Sequence, residues 1–146
     1  MLPNRCHDLS KEQRERIAEA LAKVLASSDE VLFAFVHGSV LGDLPFHDID
    51  VAVFLAGETP GGHGRRALEL ERVLSDALRD AGFGGIAVDA GALNGAPVGF
   101  CYHASRGRLV ANRDEVFMSA WRADVASRYL DSRPLRERAL KEAMAA

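Results

Sequence analysis

Residues 31–55 read VLFAFVHGSVLGDLPFHDIDVAVFL: an apolar run, a glycine-bracketed turn, and a second apolar run headed by two carboxylates. Val31 to Val36 is short and rich in β-branched and aromatic residues, and it ends at Gly38, as a buried strand does. From Asp48 onward the alternation is clean. Side chains on a strand repeat with period two, so Ile49, Val51, Val53 and Leu55 share one face and Asp48, Asp50, Ala52 and Phe54 the other. The two carboxylates then point the same way, about 7 Å apart at ~3.3 Å of rise per residue. Like charges at the head of an apolar strand are costly unless a cation lies between them, and a divalent metal is the hard cation that carboxylate oxygens suit.

A lone Asp-x-Asp is common in surface turns. What lifts this one above that background is Gly38-Ser39 immediately upstream. A Gly-Ser pair at a strand end frees backbone N–H groups and a hydroxyl to approach a phosphate closely. Phosphate donors and metal-binding carboxylates on adjacent segments are the two halves of a nucleoside-triphosphate site.

The order Gly38-Ser39, a short glycine-containing loop, His47-Asp48-Ile49-Asp50 and then apolar residues resembles the DNA polymerase β-like nucleotidyltransferase superfamily. More narrowly it is similar to the minimal nucleotidyltransferase (MNT) group of small prokaryotic proteins. Many of these have a longer loop with an Arg before its second glycine. Here Leu41 holds that place, and His47 stands where Ser is usual.

The remaining sequence supplies what such a site needs around it. Ser10 with Gln13 fits a capping box, followed by Ile17, Leu21, Val24 and Leu25 at helical spacing, with an end near Ser27-Ser28-Asp29. Residues 57–64 are a breaker-rich loop, read as plain solvent loop in preference to a flap bringing Arg65 or Arg66 to a phosphate. Arg65 to Ala81 is amphipathic, with Ala67, Leu70, Val73, Leu74, Ala77, Leu78 and Ala81 expected inward and Gly82 as the stop. Gly85 to Ala90 reads as a third strand. Ala87 and Asp89 share a face of small residues beside an acid, like that of Asp48, Asp50 and Ala52, so this strand can bring a third carboxylate to the same place. The resemblance agrees: relatives carry their third acid on a strand after the helix, and Asp89 with Leu93-Asn94 is similar to that segment. Pro97 and Gly107 bracket a short helix, Arg108 to Val110 is a brief strand, and Asn112 with Glu115 signals a further capping box. The helix it opens carries Phe117, Trp121, Val125 and Tyr129 at four-residue spacing, a core stripe or a partner-binding one, and Pro134 restarts a last helix.

The expected architecture is α/β (α+β): one domain over 1–146, a small mixed β-sheet flanked by helices, the nucleotidyltransferase fold. A formal net charge of −3 argues against general nucleic-acid binding, and the chain has neither a long apolar span nor a secretory pattern. Cys6 and Cys101 have no metal spacing, and without an export signal free thiols in a cytoplasmic protein are expected.

The resemblance implies a transferase in which Asp48, Asp50 and Asp89 are catalytic and hold Mg²⁺, Gly38 and Ser39 bind the phosphates of ATP, and pyrophosphate leaves. It also implies a partner. Many minimal transferases are encoded with a HEPN-domain toxin and act as its antitoxin, some by transferring AMP to a tyrosine of the toxin. The alternative is a non-catalytic, nucleotide-binding antitoxin that neutralises its partner by contact. Transfer to a small molecule fits less well without a substrate-recognition module, and a zinc hydrolase built on His47 and Asp48 lacks ligand spacing. A Ser39 hydrolase fails because a strand, not a helix, follows the turn. Oligomeric state stays open.

Overall fold

Strands that bury both faces need a helical layer on each side, and the alternation in residues 31–55 makes the two layers unequal. The computed structural model describes residues 5–57 and 62–145. Residues 1–4, residues 58–61 of the breaker-rich loop and residue 146 lie outside these. In chain order the elements are α1 (Lys11–Ser27), β1 (Val31–His37), a single 3₁₀ turn (Ser39–Leu41), β2 (Asp48–Leu55), α2 (His63–Asp80), β3 (Ala87–Ala92), α3 (Val98–Ser105), β4 (Arg108–Asn112), α4 (Glu115–Asp131) and α5 (Arg133–Ala145).

The four strands form one mixed sheet in the order β3-β2-β1-β4. β1 runs antiparallel to both β2 and β4, while β2 and β3 are parallel, joined by the crossover through α2. On one face Ala34, Val36, Ile49, Val51, Val53, Val88 and Ala90 meet α1 and α2. On the other, Phe33, Phe35, Ala52 and Leu93 meet α3 and α4. Asp48, Asp50 and Asp89 belong by strand parity to this second face. Among the described residues no helix is long and apolar enough to cross a membrane.

Local chemistry explains the helix ends. The Ser10 hydroxyl accepts from the Gln13 amide at 3.1 Å and the Gln13 side chain accepts from the Ser10 amide at 2.8 Å, the reciprocal box expected. At α4 the cap moves by two residues: Asp114, not Asn112, accepts the Phe117 amide at 3.0 Å. Asn112 instead accepts the Asp114 amide and donates to Glu115, ordering the approach to the helix. The stripe of α4 lies along the margin of the second core: Val125 is buried, Trp121 and Tyr129 are half-buried, and Phe117 is 40% exposed. Trp121 lies 5.1 Å from Phe33, Phe117 lies 5.1 Å from Phe54, and Tyr129 stacks on Tyr102 at 3.9 Å.

Two side chains tie strands from a distance. Asn94 clamps the far end of β2, donating to the Leu55 carbonyl and accepting from its amide, both at 2.9 Å. Glu71 of α2 accepts the Ala90 amide of edge strand β3 at 2.9 Å.

The inward stripe of α2 is narrower than its pattern predicts. Ala67, Leu70, Leu74 and Leu78 are buried, Ala77 and Ala81 half-buried, but Val73 is 49% exposed, because the sheet covers only one side of the helix. Arg66 pairs with Glu30 and Arg65 with Glu69, so neither is directed to the carboxylates. Leu74→Ala is expected to cost about 2–5 kcal/mol in chemical denaturation, as a fully buried leucine does. Val73→Ala is expected to change stability by less than about 1 kcal/mol, since exposed positions rarely matter more. Equal losses at the two positions would contradict this helix phase.

Candidate functional site

The register of β1, β2 and β3 sets three side chains in one row across the sheet: His37 opposite Asp50, and Asp50 opposite Asp89. Asp48 stands two residues back along β2 on the same face. Ligand oxygens of Asp48, Asp50 and Asp89 all lie within 4.8 Å of one another. Among the described residues no Lys or Arg forms an ion pair with any of the three.

That crowding has an electrostatic signature. Burial, then the charges of Asp48 and Asp89, push the Asp50 carboxyl up to about 6 from its ordinary 3.8. His37 is half-buried, and burial holds its imidazole below the ordinary value against the opposing pull of Asp89.

The Gly38-Ser39 turn is built against these acids. Gly38 has φ +86°, open to glycine and strained for other residues, and a Cβ there would sit 2.6 Å from Asp50 Oδ2. Glycine is required twice over. Ser39 opens the 3₁₀ turn and is exposed; the Leu41 and Gly42 amides close the turn on the Gly38 and Ser39 carbonyls. The first amides of such a turn have no partner within it.

Sequence reasoning missed what holds this loop. Arg14 of α1 donates from Nε to the Leu9 carbonyl (3.0 Å), from Nη1 to Val40 (3.1 Å) and Ser39 (3.5 Å), and from Nη2 to Leu44 (2.9 Å). Its guanidinium lies over the Phe46 ring at 4.9 Å. One planar cation thus gathers the rear carbonyls of the loop that presents Gly38 and Ser39. Nothing in a single sequence marks an arginine in the first turn of a helix for that task.

Two cavities flank the turn. The larger, about 330 Å³, lies on the α1 side of the sheet among Ile17, Val36, Val40 and Leu41, and the Arg14 and Arg108–Glu15 groups at it are already hydrogen-bonded. The smaller, about 230 Å³, is lined by His37, Asp50, Val51, Asp89, Gly91 and Phe100, and so opens on the carboxylates. Chemistry favours the smaller one. His47 precedes the acids on the exposed loop, and no group of three metal-ligand side chains among the described residues contains a histidine or cysteine. Cys6 is exposed and Cys101 buried, both free.

The site is thus an antiparallel pair bearing a Gly-Ser turn and two acids, extended by a parallel strand with a third acid. The polymerase beta nucleotidyltransferase family model matches residues 19–116, more than half of the chain, and the protein belongs to that family. Solved structures agree on the fold. A chain of the toxin–antitoxin complex MntA-HepT superposes with TM-score 0.62 at 17% identity, covering 92% of this chain and 99% of that one. A chain of a Shewanella oneidensis complex, described as tri-AMPylated HEPN toxin with MNT antitoxin, gives 0.62 at 18%, covering 93% and 99%. A toxin–antitoxin structure with AMP-PNP gives 0.65 at 19%, covering 90% and 98%. No curated protein matches the sequence.

The raised Asp50 value sets a pH dependence. A carboxyl that holds its proton more tightly when folded stabilises the native state at low pH, and that contribution is lost as pH rises from about 4 through about 6. In metal-free buffer, Asp50→Asn should therefore melt higher than wild type at pH 7.5, and the difference should shrink towards pH 4. The gain is on the order of 1 kcal/mol, since solvent screens a half-buried carboxylate. A difference independent of pH would contradict the assignment.

Proposed function

We propose that this chain is a Mg²⁺- and ATP-dependent protein adenylyltransferase, acting as the cytoplasmic antitoxin of a HEPN-domain toxin by transferring AMP to a tyrosine hydroxyl of that partner. The observation that carries this reading is the convergence of three carboxylate oxygens within 4.8 Å beside a glycine that no other residue can replace without displacing Asp50. Its context supports the same reading. The fold neighbours include a complex described with tri-AMPylated HEPN toxin, one with AMP-PNP, and a variant in which two aspartates two positions apart are changed to glutamate.

The donor set fits magnesium: all oxygen, all anionic, with a charge repulsion among the described groups that a divalent cation would relieve. Asp48, Asp50 and Asp89 would hold it. When bound, the metal supplies charge neutralisation on the phosphate oxygens. Gly38 and Ser39 would receive the β and γ phosphates through backbone amides and the Ser39 hydroxyl, on a loop fixed from behind by Arg14. Asp89, on the strand farthest from that turn, would take the proton of the incoming hydroxyl. The phenolic oxygen would then bond to the α-phosphorus while the bond to the β-phosphate oxygen breaks, and pyrophosphate would depart with the electron pair. Positioning and electrostatics supply the acceleration.

With α-labelled ATP, Mg²⁺ and the HEPN-domain partner, wild type should label the partner. Asp48→Asn and Asp50→Asn should reduce labelling by about 10³-fold or more, the scale of losing a preorganised electrostatic contact. Mg²⁺ should raise the melting temperature of wild type and leave these variants unmoved. Undiminished labelling by both variants would refute the roles given to Asp48 and Asp50, and neutralisation of the toxin by wild type without labelling would replace the enzyme with a contact antitoxin.

A further inference from the structure

The cleft beside the carboxylates is short of hydrogen-bond donors. Of the residues that line it, Asp50 and Asp89 are acids, Val51 and Phe100 are hydrocarbon, and Gly91 has no side chain; His37 alone carries a side-chain N–H. Strand pairing fixes its place. His37 ends β1 opposite Asp50, with Asp89 in the same row on β3, and the ring is close enough to Asp89 to feel its charge. Gly38 and Ser39 follow it directly in the chain, so the imidazole adjoins both the phosphate-binding turn and the acids. Two contacts hold the ring. Phe100 meets it edge-on at 5.8 Å. Behind it the turn between α3 and β4 closes on the stem: a Cβ on Gly107 would collide with the Val36 carbonyl oxygen and lie 2.9 Å from His37 Cβ. Among the described residues no group of the protein is hydrogen-bonded to this ring, and neither nitrogen is sealed from solvent.

We infer that His37 binds the nucleotide, its ring N–H donating to a non-bridging oxygen of the α-phosphate, the group transferred; the inference rests on the adenylyltransferase reading above. The choice of α over β or γ follows from position. In that reading Gly38 and Ser39 hold the β and γ phosphates, and the attacked phosphorus lies at the acids, in the row that His37 begins. The carboxylates cannot serve here, since an ionised acid only accepts. A lysine or arginine in this row would pair with Asp50 or Asp89 and compete with a metal for them. A neutral imidazole supplies a donor without adding a charge. Held in place and not consumed by the protein, that donor is preorganised, which is what makes a hydrogen bond to developing phosphate charge effective. The ring keeps its proton throughout, and the transfer itself runs as balanced above.

Calorimetry with Mg²⁺ separates the phosphates. Wild type, His37→Phe and His37→Leu, two variants that fill the site without a donor, are titrated with α,β-methylene-ATP and with pyrophosphate, which lacks the α-phosphate. Both variants should bind the nucleotide about tenfold more weakly, the scale of one hydrogen bond to a charged oxygen, and pyrophosphate within about twofold of wild type. Retained pyrophosphate affinity also shows that a variant is folded. Labelling of the HEPN-domain partner is then compared for ATP and the two α-thio diastereomers of ATP. Sulfur in place of the bonded oxygen weakens the same contact. For one diastereomer the penalty seen in wild type should therefore shrink about fivefold in His37→Phe, and for the other it should stay the same. Equal losses for nucleotide and pyrophosphate in both variants would mean a distorted turn, and no loss for either ligand, or unchanged penalties for both diastereomers, would leave His37 without this contact. Each of these overturns the inference and leaves the enzyme reading intact. Binding as expected, with no labelling of the partner by wild type, would uphold the contact and overturn the enzyme reading. Wild type that binds neither ligand would overturn both.

Discussion

Three carboxylates held within 4.8 Å of one another repel, and the domain exists in this form because the rest of the fold supplies enough to hold them there. The repulsion is carried by the pairing of β2 with β3, which sets Asp50 opposite Asp89 and cannot slip by one residue without turning Val88 and Ala90 out of the core. Behind the acids, each row deeper in the sheet is apolar: Phe35, Ala52 and Gly91, then the phenylalanine cluster under α4. Stability is thus concentrated away from the charged rim. At the rim, Gly38 lets the turn close onto Asp50, and Arg14 fixes the loop from the other face of the sheet.

Much of this is written in short-range patterns. The period-two alternation from Ile49 to Leu55 assigns faces, the Ser10/Gln13 box starts the first helix, and Ala87-Val88-Asp89-Ala90 assigns Asp89 to the side of the first two acids. Each depends on neighbours within four residues, the distance over which a sequence speaks plainly.

What was illegible depends on long side chains crossing large sequence separations. Arg14 reaches carbonyls some thirty residues away, Asn94 clamps Leu55, and Glu71 caps Ala90. None leaves a periodic trace. Val73 fails for a related reason: a helix pattern gives the apolar arc but not how wide a surface awaits it. At α4 two polar residues on either side of Arg113 compete for one cap, and the aspartate takes it while the asparagine divides its amide between two partners.

The Glu71 contact has a consequence for the chain's life among other proteins. β3 is an outer strand, and an outer strand offers unpaired amides to which a second polypeptide can add itself. Occupying the Ala90 amide with a carboxylate from the covering helix removes a donor from that border and sets a negative charge beside it. That one position on the strand bearing Asp89 is thereby closed to an added strand, at the margin nearest the acids.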